Sequence, residues 1–286
     1  MRKLRFQYTI PFMSQMLKVS RSGYYAWVSR SPSKRSQEEA RLELEIRAAH
    51  KRTRGTFGPE RLQQELAAHG IKTGICRIRR IRKNLGIRCK QVWKFKATTN
   101  SRHSLPVADN LLEQNFEVSQ PRRVWVSDLT YITTDEGWLY CAAHKDLFNG
   151  EIVGYALGSR ITKELVITSL LMAVKRKQPP PGLINHSDRG SQYCSQEYRK
   201  LLDRFNMKAS MSRKGCCYDN APIESFWGTM KNELIYHRHY ATREQAIREI
   251  TEYIEIFYNR QRIQKRLGYV SPVMYEQQFH AGRNAA

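Results

Sequence analysis

Acid is missing from one long stretch of this chain. Between Glu65 and Asp109 no Asp or Glu occurs, while eleven Lys and Arg fall in the gap, from Lys72 to Arg102. That absence excludes an ordinary balanced surface over this stretch. The six cysteines, Cys76, Cys89, Cys141, Cys194, Cys216 and Cys217, contain no C-x-x-C pair, and no His pair stands at finger-like spacing with them, so a structural zinc module is not expected. Vicinal Cys216 and Cys217 read as reduced thiols. No run approaches the ~18 consecutive apolar residues of a membrane-spanning helix. Met1 to Leu17 offers a broken apolar stretch and no small-residue cleavage site, so no secretion signal is expected and the cytosol is the natural compartment. Internal repeats and low-complexity tracts are also missing.

What is present is enough for a packed core: 286 residues, 41% hydrophobic and 10% aromatic, room for two small domains or one large one. The formal charge is +23. So large an excess of one sign repels itself in the folded state, and a polyanionic partner would offset it. Nucleic acid is the first candidate and an anionic membrane surface the second. The excess is unevenly placed: residues 1–104 hold 25 Lys/Arg against 6 Asp/Glu, and residues 105–286 hold 24 against 20. The acid-free stretch includes the aromatics Trp93 and Phe95, a pattern suited to phosphate contact.

The chain divides by composition and period. Residues 1–45 read as an N-terminal arm, with a Ser/Pro/Lys linker at Ser29–Ser36, and 46–104 as a helix-turn-helix region. Pro59 opens one helix, which Gly70 ends; a second runs from about Thr73 to Leu85 and stops at Gly86. Ile78, Ile81 and Leu85 would pack inward, while Arg77, Arg80 and Lys83 would project toward a duplex. A three-helix unit without DNA contact has the same periodicity; the charge favours binding. Residues 97–110 are polar and small, and 105–120 is taken as a second linker. After Pro121 the period changes. Three β-branched and aromatic runs, the last two joined through Asn149-Gly150, read as strands. A helix, a strand from Leu183 to His186, a helix, a strand from Met207 to Met211 and a helix after Pro222 follow. The order β-β-β-α-β-α-β matches an α/β fold of ribonuclease-H-like type over 121–236, preceded by an all-α region and followed by a helical extension at 237–286.

Three acids stand apart. Asp128 is expected near the end of the first strand, Asp188 at the end of the fourth, and Glu224 in the first turn of a helix that Asn220 would cap. Each alone has a plain reading as a turn, a cap or a dipole partner. Together they suit phosphodiester chemistry, in which two Mg²⁺ about 3.5–4 Å apart neutralise the phosphate and activate the attacking oxygen, held by hard carboxylate ligands. Asp146 and Asp219 are the competitors, the first beside a turn and the second a support for the helix start.

Thirty-five residues separate Asp188 from Glu224, and Lys231 lies seven beyond Glu224, on the same helical face roughly 10 Å along. This spacing resembles the DD(35)E signature of retroviral integrases and insertion-sequence transposases. Trp125-Val-Ser-Asp-Leu-Thr-Tyr-Ile, His186-Ser-Asp-Arg-Gly-Ser-Gln-Tyr, Cys217-Tyr-Asp-Asn-Ala, Glu224-Ser-Phe-Trp-Gly-Thr-Met-Lys-Asn-Glu-Leu and Tyr258-Asn-Arg with Leu267-Gly-Tyr-Val-Ser-Pro are similar to the second-frame (OrfB) product of insertion-sequence family three. Cys216 and Gln264 depart from the commonest pattern, where Asn and His are frequent. The integrase-type His/Cys zinc module is absent. The resemblance implies 3′-end cleavage followed by strand transfer through a single-strand bridged circle. Asp128, Asp188 and Glu224 would bind two Mg²⁺ (Mn²⁺ substituting), and Lys231 would bind phosphate. His186, Arg189 and Gln192 would position DNA, and the basic region would recognise terminal inverted repeats. It also implies target DNA as a partner, a homo-oligomeric synaptic complex, and an upstream-frame (OrfA) protein, fused or separate. A ribonuclease-H-like nuclease that cuts without joining, and a DNA-binding regulator without catalysis, remain the alternatives.

Overall fold

The computed structural model describes residues 1–90 and 106–284. Trp93, Phe95 and residues 97–105 of the expected second linker lie outside the described residues.

Helices α1 (Ile10–Met16) and α2 (Arg21–Ser29) form the N-terminal arm. Helix α3 (Lys34–Arg52) starts at Ser33, whose hydroxyl accepts the Ser36 amide at 3.2 Å. The boundary expected at 45/46 falls inside α3, because Leu42, Ile46 and Ala49 continue one buried stripe across it. The Ser/Pro/Lys linker is correspondingly shorter, a few residues between α2 and α3. Helices α4 (Pro59–Ala68) and α5 (Ile75–Asn84) follow. Ile46, Leu62, Leu66, Ile78 and Ile81 are fully buried where the three helices meet. Each such side chain contributes about 1.5–3 kcal/mol of apolar burial. Gly70 and Gly86, past the ends of α4 and α5, take left-handed φ of 78° and 65° as helix-terminating residues do.

A five-stranded sheet forms the second unit: β1 (Val124–Thr134), β2 (Gly137–Asp146), β3 (Ile152–Gly158), β4 (Ile184–Ser187) and β5 (Lys208–Met211), in spatial order β3-β2-β1-β4-β5. The first three strands run antiparallel, while β4 pairs parallel to β1 and β5 parallel to β4. This is the expected ribonuclease-H-like arrangement. One face carries α6 (Lys163–Lys177) and α7 (Gln196–Arg204), packed over Trp125, Ala142, Val153 and Ala156. Gly154 lets α6 approach β3: a Cβ there would stand 2.6 Å from the Cβ of Ala173 and closer still to the Ser169 carbonyl. The other face carries α8 (Ala221–Glu233), α9 (Arg243–Glu252) and a π-helical continuation, Tyr253–Gln261. Helix α10 (Pro272–Asn284) closes the chain.

The apolar cluster under α8 and α9 is continuous with that of α3–α5, and Arg54 lies over the Phe257 ring at 4.8 Å and pairs with Glu252. The stretch expected as a linker, 105–120, is docked from Asp109 on, whose carbonyl accepts the Met211 amide at 3.2 Å. Leu112 is buried, the Leu111 amide donates to Ser210 Oγ at 2.9 Å, and the Asn110 amide group donates to Asp219 at 2.9 Å. Its polar composition serves hydrogen bonds to β5 and the loop beyond rather than solvent. No helix among the described residues is long and apolar enough to cross a membrane.

Candidate active site

Strand register brings the first two carboxylates together. Ser127 of β1 pairs in parallel with Ser187 of β4, so Asp128 and Asp188 each follow one residue later on adjacent strands. Neighbouring strands lie about 4.8 Å apart. Asp128 therefore stands in the middle of β1, not near its end; β1 simply outruns β4. The register is locked from beneath, where Ser127 Oγ donates to Asn185 Oδ1 at 2.9 Å and lies 2.7 Å from His144 Nδ1. Burial pulls the His144 imidazole down to about 4, so it works as a neutral hydrogen-bonding group tying β2 to β1 and β4.

The third carboxylate arrives on α8. Asn220 occupies the N-cap position, but its side chain makes no cap bond; its Nδ2 donates instead to the Ser127 carbonyl at 3.0 Å. The expected cap is thus a tie from the helix start to β1, beside Asp128. Glu224 follows one turn later and Trp227 after it, with the indole Nε1 donating to Asp128 Oδ2 at 3.1 Å. Asp188 Oδ1 accepts the Gly190 amide at 2.9 Å, and a Cβ at Gly190 would stand 2.9 Å from that oxygen, so a side chain there would displace the carboxylate.

The three acids repel one another. Burial first, then Asp188 and Glu224, hold Asp128 well above the usual carboxylate range. Burial and Asp188 likewise raise Glu224. Among the described residues, no three His, Cys, Asp or Glu side chains stand close enough to enclose an ion as they lie. The donor chemistry nevertheless fits a hard divalent cation: the three carboxylates lie within one another's field, and a cation would relieve the repulsion that raises Asp128 and Glu224. Lys231, two turns along α8, has its Nζ 4.8 Å from the centre of the Tyr131 ring. Burial lowers its pKa while Asp128 raises it, which puts the amine within the field of the carboxylates. The half-exposed Trp138 packs edge-on to Tyr131, an aromatic support for Lys231 with no spacing signal in the sequence.

Other expected contacts fall differently. His186 is fully buried between β4 and β5, with Nδ1 2.8 Å from Ser210 Oγ and Nε2 3.1 Å from Ser212 Oγ, and burial pulls it to about 4. It bonds strand to loop and has no face for DNA. Arg189 donates through Nε to the Ser212 carbonyl at 2.7 Å, and Gln192 lies partly buried beside Gly190. On α5, Lys83 is exposed and Arg77 partly so, while Arg80 makes a two-pronged bond to Glu39 of α3, both at 2.8 Å. Arg82 is buried and donates to Cys89 Sγ at 3.0 Å.

The competing acids are structural. Asp146 accepts the Arg122 and Phe148 amides at 2.8 and 2.9 Å, and burial raises it to about 6. Asp219 is not a helix cap. Fully buried, it accepts from Arg213 (backbone amide and guanidinium), Asn110 and Gln114, and the Arg213 guanidinium holds its carboxyl well below the usual range. It latches the loop ahead of α8. The only sequence signal was the Arg213–Asp219 pair flanking Gly215.

The C-terminal block, which sequence reasoning carried only as a motif, buttresses the site from behind. Glu233, the last residue of α8, is buried against Arg262, whose Nε and Nη2 donate to both carboxylate oxygens at 2.8–3.0 Å. Asn259 brackets the start of β3, accepting the Ile152 amide at 2.9 Å and donating to its carbonyl at 3.0 Å.

Comparison with known proteins shows what the chain as a whole is similar to. A family profile described as an HTH-like domain matches residues 36–95, and two described as integrase core domains match 118–217 and 224–279. The chain is 57% identical to a 31 kDa protein of insertion element IS600 from Shigella sonnei, over 94% of this chain and 98% of that one. It is 39% identical to the transposase InsF of insertion sequence IS3A from Escherichia coli K12, over 96% of both. Among solved structures, the simian T-cell lymphotropic virus intasome, in complex with a PP2A regulatory subunit, is similar at 16% identity and a TM-score of 0.48, over 75% of this chain and 70% of that one.

Proposed function

The chain belongs to the IS3 family of transposases, and we propose that it cleaves and joins DNA at one centre made by Asp128, Asp188 and Glu224. The observation that carries this reading is the parallel pairing of Ser127 with Ser187, which sets two carboxylates side by side, with Asn220 bonded to the Ser127 carbonyl one turn ahead of the third. These residues would hold two Mg²⁺, with Mn²⁺ able to substitute. When bound, the ions supply charge neutralisation at the phosphate and activation of the attacking oxygen.

The chain's own groups do the rest. The Trp227 indole orients Asp128 by a hydrogen bond to one oxygen. Lys231 reaches from the same helix face as Glu224 and would hold a phosphate of the bound strand. In the first step water breaks the phosphodiester at the element end and frees a 3′-hydroxyl. In the second that hydroxyl attacks another phosphodiester and displaces its 3′-oxygen, through a single-strand bridged circle. Two element ends must meet for this, so the working form is a homo-oligomer in a synaptic complex, with an upstream-frame protein, fused or separate, as a further partner.

Recognition of terminal inverted repeats falls to α4 and α5, with Lys83 exposed and Arg77 partly so; Arg80 would have to leave Glu39 to reach phosphate. Arg189 and Gln192, beside Asp188, would meet the strand near the centre. Binding to a labelled inverted repeat should weaken steeply with salt, and replacing Lys83 by Ala should lower the log–log slope by about 1. The reading is tested with purified protein, Mg²⁺ and labelled inverted-repeat ends. A freed 3′ end and a joined product are expected. Cleavage with no joined product, under conditions where two ends are held together, would reduce the enzyme to a nuclease.

A further inference from the structure

The first turn of α8 is held to the sheet at two points. One is the Asn220 bond to the Ser127 carbonyl. The other comes from β2, where the Lys145 amine donates to the Pro222 carbonyl at 2.6 Å, two residues before Glu224. Lys145 pairs across to Val126 of β1, and on its other side the register shift opposite His144 and Lys145 puts the extra residue, Val153, on β3, so the alternation of β2 runs through Lys145 unbroken. By strand alternation Lys145 shares the face of Cys141 and Ala143, which belong to the cluster under α8.

We infer that Lys145 is a positioning residue for the carboxylate centre: by holding the Pro222 carbonyl it sets where Glu224 stands relative to Asp128. This rests on the reading of Asp128, Asp188 and Glu224 as the metal-binding set. The amine is a poor choice for stability. Lys145 is 8% exposed, and among the described residues no carboxylate pairs with it. Burial, with Arg266 and Arg262 nearby, pulls it down to about 7. A methionine would fill the same space without burying an unpaired amine. What methionine cannot supply is the directed bond to the turn that carries Glu224. Glu224 itself keeps more than a third of its surface exposed, so packing alone does not fix its place. The pins at Asn220 and Pro222 do.

The test compares the full-length wild type with Lys145→Met and Lys145→Gln. Three readouts are taken: thermal stability, Mn²⁺ affinity, and the ¹⁹F resonance of Trp227 in metal-free protein labelled with fluorotryptophan, assigned with Trp227→Phe. Groups that orient metal-binding residues typically cost about 10- to 100-fold in affinity when removed. K145M should lose Mn²⁺ affinity by about that factor and shift the Trp227 resonance, with thermal stability unchanged or raised. K145Q, which keeps a donor on a shorter stem, should recover part of the affinity. Wild-type Mn²⁺ affinity and an unmoved Trp227 resonance in K145M would overturn the inference, as would a large loss of stability in both variants, which would make Lys145 a stability residue. If wild type itself binds no Mn²⁺ at the centre, it is the metal reading that fails.

Discussion

Asp188→Asn abolishes both cleavage and joining while inverted-repeat binding stays at the wild-type level. Asparagine keeps the size of the side chain and the oxygen that accepts the Gly190 amide, so the turn after β4 survives. What it removes is one of three charges that a divalent cation would neutralise. Metal stabilisation of phosphoryl-transfer chemistry is worth several kcal/mol, and each ~1.4 kcal/mol is tenfold in rate. A loss of at least about 10³-fold in both steps is expected, since one centre serves both. The metal-free variant should be no less stable than wild type, because Asp188 raises both Asp128 and Glu224 by repulsion. The proposed DNA-recognising helices α4 and α5 do not include Asp188, so binding through them should be untouched. The checks are a gel assay of nicked and joined products and a filter-binding isotherm on the same preparation. Cleavage retained with joining lost would separate the two steps and break the single-centre account.

The second large effect is on the frame behind the site. Arg262 and Glu233 are both buried, their side chains 9% and 8% exposed, and Tyr253 donates a further bond to Glu233 at 2.7 Å. Arg262→Met leaves the Glu233 carboxylate buried without its guanidinium, which typically costs about 3–5 kcal/mol. For a chain of this size that is a fall in melting temperature on the order of 10 °C. Replacing Glu233 by Leu in the same protein should return much of the loss, leaving only the Tyr253 hydroxyl short of a partner. Because Glu233 ends the helix that begins near Asp128, the single variant should also loosen α8. Urea titrations of the single and double variants decide it; a single-variant cost under about 1 kcal/mol would mean that solvent screens the pair.

The sheet and its order were legible in the sequence because two signals coincide there. Residues 124–132 are rich in β-branched and aromatic side chains, and Asn149-Gly150 marks a turn, which Asp146 closes by accepting the Phe148 amide. The α4 and α5 limits were legible from Pro59, Gly70 and Gly86. The spacing of Asp188, Glu224 and Lys231 carried the candidate site without any contact information. What failed were inferences that needed depth. His186 stands two residues before Asp188, yet β4 is covered on both edges, so it is sealed between β5 and the loop that follows. The segment docked from Asp109 on is polar, and polarity alone reads as solvent. Arg80 looked free on a helix face because its partner Glu39 is 41 residues away. Distance in sequence, here 29 residues, also hid the Glu233–Arg262 pair. The π-helical turn from Tyr253 to Gln261 was missed since its apolar residues continue the α-helical pattern of α9 through Tyr258.

The central claim, that Asp128, Asp188 and Glu224 form one metal centre, is tested most directly by locating the ions. Crystals of the full chain soaked in Mn²⁺ should show anomalous density within about 2.0–2.3 Å of oxygens from Asp128 and Asp188, with Glu224 completing the set, and none of it in Asp188→Asn. Density confined to other acids, or unchanged in that variant, would contradict the account.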